Sequence, residues 1–360
     1  MKKVEGPSQR ATGRRLFLKG GVLASGALVT AGLLGAGSAR AQSADDDNEF
    51  TDGDAAILRF LAAAELIESD LWTQYAELGG ITNGPLNAYQ MALQKLDPDG
   101  SQYITSNTND EVSHAAFLNA YLESKGVEPV DLDAFRTLQG SKATGAQNVG
   151  RLTNLMQLTI DTSWFIRYRS TTNPDLGATF PQAVTITDHT SIPRTNADLS
   201  NPTQIQVIAN TAAFHFGTIE QGGSSLYASL SRKVTSEQVL EITLGIGGDE
   251  IAHFLEWVDF AGNGVTPPIA PVSFGGLTFP DFTKKGPLFQ PNLIFPIPCE
   301  FLNAKFPKCA IIRPLTDKFA GARATATFLT NMNLFAGQPK EFFNTVNRLA
   351  DAADAARRQG

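Results

Sequence analysis

Cysteine and histidine are scarce in this sequence, which contains two cysteines and four histidines among 360 residues. The cysteines, Cys299 and Cys309, have neither the spacing of a zinc site nor that of a thioredoxin-type redox pair. In an oxidising compartment we expect a disulfide that closes the short loop between them, with two free thiols as the alternative. Any metal site must therefore be sought among carboxylates and imidazoles.

Basic residues and long apolar runs are both scarce after residue 41. No later segment is long and apolar enough to cross a bilayer, so we expect a soluble mature protein with no membrane insertion. Residues 42–360 contain 22 basic and 35 acidic residues, which gives a net charge of −13. An acidic surface of this kind argues against nucleic acids and anionic membranes as partners.

The first 41 residues have the organisation of an export signal. Arg14–Lys19 resembles the twin-arginine motif, Gly20–Leu34 is an apolar core, and Ala39–Ala41 fits a signal peptidase site. The apolar core is shorter than the ~20 residues that span hydrocarbon, which argues against an uncleaved membrane anchor. Twin-arginine signals are typical of proteins exported already folded, often with a cofactor bound. We therefore expect residues 1–41 to be removed and the mature chain to reach the periplasm or the extracellular space.

Apolar residues with helical spacing predict most of the chain to be helical. Cap-type residues at Ser106–Asn109 and a capping box formed by Thr235 and Gln238 indicate two helix starts, and Pro202 suits the first turn of another. The long helices are predicted over residues 54–78, 109–125, 202–230 and 236–261, and shorter ones over 87–96 and, within a long crossover, 148–169.

The composition of the sequence changes after residue 262. Ten prolines between residues 267 and 314 exclude long helices and indicate a strand-poor segment. Two further helices are predicted over 316–335 and 340–357, the last of them mainly solvated. The sequence therefore predicts an all-α protein with a bundle domain at 42–262 and a C-terminal extension at 263–360 that packs on it.

Two of the long helices contain a glutamate followed three residues later by a histidine. The pairs are Glu111 with His114 and Glu250 with His253. On a helix such side chains lie about 60° apart on one face, close enough to bind the same metal ion. One such pair has little specificity. At ordinary glutamate frequency, however, the probability that two pairs arise by chance is on the order of a percent. The repeated spacing therefore predicts a metal site with ligands from both helices.

The other two long helices each offer a single glutamate followed seven residues later by an aromatic residue. These pairs are Glu65 with Trp72 and Glu220 with Tyr227, two turns apart on one face. Glu68 is an alternative to Glu65, but only Glu65 reproduces the seven-residue spacing. Four carboxylates and two imidazoles in a bundle can hold two divalent ions, with two glutamates bridging. Mixed oxygen and nitrogen ligands favour iron or manganese over zinc or calcium.

The third long helix also contains His215, which lies about 140° from Glu220 around the helix and is therefore expected in the core or in support of a ligand. Its three glycines, Gly217, Gly222 and Gly223, predict close backbone packing. His189 lies in a predicted loop and receives no role. Structural salt bridges are the expected role of three charged residues in the crossover, Asp161, Arg167 and Arg169.

The six ligand positions and the two aromatic residues resemble the ferritin-like di-iron carboxylate superfamily, in particular bacterial ferritin-like domain proteins with a twin-arginine signal. The resemblance covers about residues 54–261 and leaves the C-terminal extension unexplained. It implies a ferritin-like four-helix bundle with a long crossover, in which two iron or manganese ions are bound by Glu65, Glu111, His114, Glu220, Glu250 and His253.

Two functions are consistent with this pattern. In the first, iron bound between the helices reacts with oxygen or peroxide, and Trp72 or Tyr227 carries an electron away. In the second, the bundle is an exported stress or surface scaffold in which the metal is structural or absent. A bundle held by buried salt bridges alone is disfavoured, because little positive charge accompanies the four carboxylates.

Overall fold

Long α-helices dominate this computed structural model, which describes residues 50–173, 180–292, 295–313 and 321–359. Helices account for more than half of the described residues, which confirms the predicted all-α class. The predicted signal peptide, residues 1–41, lies outside the described ranges. None of the described helices is long and apolar enough to cross a membrane. In chain order the helices are α1 (Asp52–Gly79), α2 (Ala88–Leu96), α3 (Gly100–Ser124), α4 (Trp164–Arg167), α5 (Pro202–Ser231), α6 (Glu237–Asn263), α7 (Ala322–Asn331) and α8 (Lys340–Ala355).

The four longest helices, α1, α3, α5 and α6, correspond to the four long helices predicted from the sequence. Helix α1 packs mainly against α3, and α5 packs mainly against α6. The two pairs are joined by aromatic rings, since Trp72 of α1 stacks on Phe216 of α5 at 4.8 Å and on Trp257 of α6 at 5.3 Å between ring centroids. Full burial of a side chain such as Phe216 stabilises the fold by about 1.5–3 kcal/mol. The shared core therefore fixes the relative position of all four helices.

Local hydrogen bonds define where three of these helices begin. Thr51 and Asp54 form a capping box at α1, and Asn201 accepts from two backbone amides ahead of Pro202 at α5. At α6 the cap is Ser236 rather than the predicted Thr235. The reason is that the Thr235 amide donates to Asp54 Oδ1 at 2.8 Å, which holds Thr235 outside the helix and ties the starts of α1 and α6 together.

Helix α3 begins at Gly100, nine residues before the predicted start. The polar residues at 106–109 had indicated a cap, but they lie inside the helix. Thr108 Oγ1 donates to the carbonyl of Ile104 at 2.7 Å, and Asn107 donates from its side chain to Glu111 at 2.8 Å. Cap-type residues are tolerated inside a helix when their side chains have such partners.

The predicted helix over 148–169 is wrong, because that segment consists of two short strands, irregular connections and a single four-residue helix. Antiparallel pairs join β1 (Leu138–Gln139) to β2 (Gly150–Arg151) and β3 (Leu158–Ile160) to β4 (Ile186–His189). In β3 the outer residues are buried and the middle one is less so, which is the two-residue period of a strand. Only the four-residue α4 is helical there. The apolar residues of this segment fit both a helix and a strand, and pairing with a distant strand favoured the strand.

The last helix, predicted over 340–357, is less solvated than predicted. Helix α8 packs against α1 and α7, and its buried face contains Phe342, Val346, Leu349, Ala350 and Ala353. A hairpin of β5 (Val272–Phe274) and β6 (Leu277–Phe279) lies against α5. Residues 316–320 of the predicted helix 316–335 lie outside the described residues. All of the described residues belong to one compact unit.

The two cysteines face each other across an isolated antiparallel bridge. The amide of Cys299 donates to the carbonyl of Cys309, and the reverse hydrogen bond is also formed, both at 3.0 Å. Both thiols are nevertheless free, so the expected disulfide is not formed in this structure. Cys299 is buried and Cys309 is exposed.

Candidate metal centre

The six predicted metal ligands meet in the centre of the four long helices. Glu65 comes from α1, Glu111 and His114 from α3, Glu220 from α5, and Glu250 and His253 from α6. The four glutamates are each at most 1% exposed. The ligand atoms form two groups within which all atoms lie within 4.8 Å of one another; the first is Glu65, Glu111, His114 and Glu250, and the second is Glu111, Glu220, Glu250 and His253.

Glu111 and Glu250 belong to both groups. In the first group, His114 Nδ1 lies 3.4 Å from Glu111 Oε2 and 3.5 Å from Glu65 Oε2. In the second group, His253 Nδ1 lies 3.2 Å from Glu111 Oε1 and 3.3 Å from Glu220 Oε2. The two oxygens of Glu111 therefore face different histidines, which is the arrangement that a carboxylate shared between two ions requires.

Several oxygens in this cluster lack a hydrogen-bond partner although they are buried. Neither oxygen of Glu250 has one, and the same holds for Oε2 of Glu65 and of Glu111. Buried carboxylates without compensating partners are destabilising by several kcal/mol each. The ion-pair partners of these glutamates among the described residues are the two histidines. Oxygen atoms in this state are suited to bind cations, so the residues present fit a metal centre.

Burial and the close approach of several carboxylates also shift the pKa values in the cluster. Burial, reinforced by the charge of Glu220, raises the pKa of Glu111 to about 8. Burial, reinforced by Glu111, also raises the pKa of Glu250 well above its usual range. Burial acts in the opposite direction on His253, but Glu220 and Glu111 outweigh it and raise the pKa of that imidazole to about 12. Protons thus supply the positive charge that the carboxylates require, and metal ions would replace them.

Two aspartates that the sequence reasoning missed orient the histidines. His114 Nε2 lies 3.3 Å from Oδ2 of Asp249, and His253 Nε2 lies 3.3 Å from Oδ2 of Asp110. Each aspartate therefore contacts the histidine of the opposite helix and leaves its Nδ1 facing the glutamates, and Oδ2 of Asp249 also lies 3.8 Å from Nε2 of His253 on its own helix. The signal was available, because an aspartate directly precedes the glutamate of each Glu-x-x-His pair. Both aspartate side chains are about two-fifths exposed, which indicates that the centre opens to solvent between α3 and α6.

Tyr227 contacts the first ligand group directly. Its phenol donates a short hydrogen bond to Glu65 Oε1. Of the two predicted electron carriers, Tyr227 is therefore in contact with a predicted ligand. The seven-residue spacing of Glu220 and Tyr227 directs these two side chains to different ligand groups, because the partner of Tyr227 is on α1.

Asn107, which the sequence reasoning also missed, contacts the second ligand group. Its side-chain amide donates to Glu111 Oε1 at 2.8 Å and to Glu220 Oε1 at 3.3 Å. The indole of Trp257 donates to Asn107 Oδ1 at 2.7 Å, which fixes the amide in this orientation. Trp72 stacks on Trp257, so it reaches the ligands through Trp257 and Asn107. Its own Nε1 has no hydrogen-bond partner among the described residues.

Two of the three glycines predicted to allow close packing on α5, Gly217 and Gly223, lie against neighbouring side chains, whereas a Cβ at Gly222 would meet no atom within 4 Å. A Cβ at Gly223 would overlap Oε2 of Glu250, and one at Gly217 would overlap the ring of Trp164. On α6, a Cβ at Gly247 would lie 2.8 Å from Cβ of Tyr227. Contacts this close require glycine, so α5 and α6 approach each other where Glu250 enters the centre.

Glu68, the alternative to Glu65, lies outside both ligand groups. The structure brings Glu65 next to His114, and the role of Glu65 as a metal ligand stays a prediction. Glu68 is nevertheless 8% exposed and its Oε2 has no hydrogen-bond partner. Burial, reinforced by Glu111 and Glu65, raises the pKa of this carboxyl well above its usual range.

The remaining residues considered from the sequence do not join the centre. His215 Nδ1 lies 2.7 Å from the phenol oxygen of Tyr75, and burial lowers the pKa of this imidazole to about 3, so it is a neutral core residue. Arg169 lies over the ring of Phe165 at 3.9 Å rather than in the expected salt bridge. Asp161 accepts from an amide and a glutamine, and His189 ends β4. Arg167 donates to Gln221 at 3.1 Å.

Comparisons of the chain with protein-family models, with curated proteins and with solved structures found no match. The chemistry of the centre is therefore inferred from its own geometry. Each ligand group combines three carboxylates with one imidazole, and the groups share two carboxylates. Such a donor set is suited to two adjacent first-row transition-metal ions.

Proposed function

We propose that this chain is an exported dimetal carboxylate protein with a ferritin-like four-helix bundle formed by α1, α3, α5 and α6. The ions are iron, with manganese as the alternative, and they react with oxygen or peroxide. The twin-arginine pattern at the amino terminus supports export to the periplasm or the extracellular space. One observation carries the proposal: two overlapping ligand groups share Glu111 and Glu250, and neither oxygen of the fully buried Glu250 has a hydrogen-bond partner.

The donor set supports a specific division of labour. Glu65 and His114 would hold one ion, Glu220 and His253 would hold the other, and Glu111 and Glu250 would bridge the two. Four carboxylates balance the charge of two divalent ions, which relieves the desolvation of these buried groups. Iron bound there would supply electrons to oxygen or peroxide. Zinc alone is a poorer match because its structural sites are tetrahedral and separate.

The residues around the ligands have roles of their own. Asp110 and Asp249 keep the Nδ1 atom of each histidine directed at the glutamates. The phenol of Tyr227 donates a hydrogen bond to Glu65 Oε1, and it would be a group able to give up an electron in direct contact with a ligand of the first ion. Trp72 and Trp257 form a stacked pair that reaches the second ion through Asn107.

Metal analysis of the chain purified after growth with iron and manganese tests this proposal. We expect close to two ions per chain in the wild type and fewer than one in Glu250→Gln, because Glu250 serves both ions. Glu241→Gln is the matched control, since it makes the same chemical change on an exposed part of α6. Circular dichroism should show the same helix content in all three proteins.

Reaction of the iron-loaded chain with oxygen or hydrogen peroxide tests the redox part. We expect a change in visible absorbance in the wild type and in Glu241→Gln, and none in Glu250→Gln. A wild type that purifies without metal and takes up none on reconstitution contradicts the metal centre. Full loading with no response to either oxidant favours the alternative of an exported scaffold with a structural metal.

A further inference from the structure

One segment of the C-terminal extension exposes several large apolar side chains to solvent. Among the described residues, three of the four most exposed large apolar side chains lie between residues 295 and 306. They are Leu302 at 84%, Phe295 at 72% and Phe306 at 60%. A single exposed apolar residue is ordinary, but a group of them in one short segment is typical of an interaction site.

Backbone pairing closes a loop around two of these residues. Cys299 and Cys309 exchange two backbone hydrogen bonds at 3.0 Å, and every residue from 302 to 310 is exposed. Within the loop, the amide of Phe306 donates to the carbonyl of Asn303 at 3.0 Å. The 299–309 loop therefore projects from the surface as an ordered element that is fixed at its base.

The backbone of Leu302 has an unfavourable conformation in this loop. Its φ of 63° lies in the left-handed region, which glycine and asparagine adopt more readily than leucine. Its side chain is also left in water, although burial would be favourable. Strained backbone of this kind clusters at functional sites. The position is therefore suited to contact a surface outside the protein.

The same segment has a local excess of positive charge. Residues 284–313 contain five of the 22 basic residues of 42–360 but only one of the 35 acidic ones. Lys305 and Lys308 lie on either side of Phe306 in the sequence, and both are exposed. The net charge of −13 argued against anionic partners, but acidic groups farther than about 8–10 Å from the loop are largely screened in physiological salt. The loop therefore presents apolar and positively charged groups together.

A recess of about 610 Å³ adjoins the loop, and Leu302 lies in its wall. Two cationic side chains, one carboxylate and several neutral polar groups also line it, from Lys308, Arg313, Glu300, Thr171, Thr172 and Asn303. Cationic and hydroxyl donors are suited to phosphate oxygens. Apolar groups and phosphate-binding groups thus lie side by side, as the acyl chains and headgroups of a phospholipid layer do.

We propose that the 299–309 loop attaches this protein to the surface of an anionic phospholipid membrane. Leu302 and Phe306 enter the boundary between headgroups and acyl chains, and Lys305 and Lys308 contact lipid phosphates. The attachment is peripheral and does not depend on the metal centre. A protein partner fits less well, because lysine is depleted at the core of protein interfaces, whereas lysine combined with leucine and phenylalanine is typical of membrane-surface elements.

Cosedimentation with phospholipid vesicles tests this proposal. The chain without its predicted signal, residues 42–360, is mixed with vesicles of phosphatidylglycerol or of phosphatidylcholine at low and at physiological salt. The signal is omitted because its apolar core would itself bind lipid. We expect binding to phosphatidylglycerol that weakens as salt is raised, and binding to phosphatidylcholine that is at least about tenfold weaker.

Serine variants test the apolar contribution of the loop. Leu302→Ser and Phe306→Ser should each bind phosphatidylglycerol vesicles at least about tenfold more weakly than the wild type, because each loses one apolar side chain that enters the membrane. Leu244→Ser is the matched control, since it makes the same change at a 60% exposed position of α6. It should bind as the wild type does. All three side chains are exposed, so circular dichroism should show unchanged helix content.

Glutamine variants test the charge contribution. The double variant Lys305→Gln with Lys308→Gln should bind phosphatidylglycerol vesicles about 25-fold more weakly, because each lysine near an anionic surface strengthens binding about fivefold. The double variant Lys95→Gln with Lys340→Gln removes the same charge from exposed positions on α2 and α8 and should have little effect.

Three results would overturn the proposal. The first is a wild type that does not bind phosphatidylglycerol vesicles at low salt. The second is vesicle binding that the loop variants retain, or that the loop and control variants lose equally. The third is self-association of the wild type without vesicles that Leu302→Ser abolishes, measured by analytical ultracentrifugation, because a second copy of the chain would then cover the loop. None of these results alters the expected metal content.

Discussion

The half of the centre around Glu65 and His114 and the half around Glu220 and His253 use the same kinds of ligand but different neighbours. Tyr227 donates to Glu65 in the first half, whereas Asn107 donates to Glu220 in the second. A phenol can lose an electron, but a carboxamide cannot do so readily. The comparison indicates that the two ions of the proposed centre would be held alike and coupled differently to the rest of the protein.

The same contrast extends outward from the centre. Asn107 is fixed by Trp257, which stacks on Trp72, so the second half is continuous with the aromatic core. Tyr227 lies over Gly247 at the α5–α6 contact, away from that stack. Two separate aromatic routes therefore lead from the cluster, one from Glu65 through Tyr227 and the other from Glu111 and Glu220 through Asn107. The expected loss of metal binding therefore depends on where a variant acts. It should be largest for a variant that acts on both halves, smaller for one that acts on one half through a histidine, and smallest for one that removes a single hydrogen bond.

The largest expected effect comes from Gly223→Ala, which should weaken metal binding in both halves of the centre. Its Cβ would overlap Oε2 of Glu250, a ligand shared by both groups. We expect metal content to fall from about two ions to fewer than one per chain, measured by elemental analysis.

Gly248→Ala is the control for this change, because a Cβ at that exposed position on α6 meets no atom within 4 Å. It should retain both ions, and alanine should raise helix stability slightly. Normal metal content in Gly223→Ala would mean that Glu250 does not need the space that the glycine leaves, and its assignment as a bridge would be wrong.

An intermediate effect is expected from the two aspartates, which should separate the halves. Asp249→Asn should weaken the ion bound by His114, and Asp110→Asn the ion bound by His253, each by about 10- to 100-fold. Asp110 is ion-paired with the histidine of the opposite helix, whereas Asp249 lies 3.3 Å from His114 and 3.8 Å from His253, so the Asp110 variant gives the sharper test. Zinc occupancy in crystals soaked at limiting concentration, measured by anomalous scattering, would show which position empties. A greater loss at the histidine of the same helix than at that of the opposite helix would refute the crossed pairing.

The smallest effect is expected from removing one hydroxyl in Tyr227→Phe. Glu65 then loses the hydrogen bond that the phenol donates to it. Because one hydrogen bond is lost, the first ion should bind about two- to tenfold more weakly. The second ion should be unaffected. Competition titrations with a coloured chelator resolve the two affinities. Equal weakening of both ions would show that the halves are more strongly coupled than the separate contacts of Tyr227 and Asn107 indicate.

The clustering of the six candidate ligands could be predicted from sequence because their spacing is a property of single helices. A three-residue separation places Glu111 beside His114 in any helix, and the long apolar stripes made the four helices recognisable. The choice of Glu65 over Glu68 also needed only the seven-residue repeat.

Contacts between helices could not be obtained in this way. Asp110 and Asp249 act on histidines of the opposite helix, and Asn107 lies in a polar cluster that is also typical of a helix cap. The segment 148–169 was assigned wrongly for a related reason, since its apolar residues fit a helix until β4 supplies a strand partner. The backbone pairing of Cys299 with Cys309 did suit a covalent link, yet the thiols are free.

The central claim is that one pair of shared glutamates holds two ions, and a crystal structure of the iron-loaded chain tests it most directly. Anomalous scattering at the iron edge should give two peaks, one beside Nδ1 of His114 and one beside Nδ1 of His253, with Glu111 and Glu250 in contact with both. A single peak, or no peak between these helices at full iron saturation, would contradict the account.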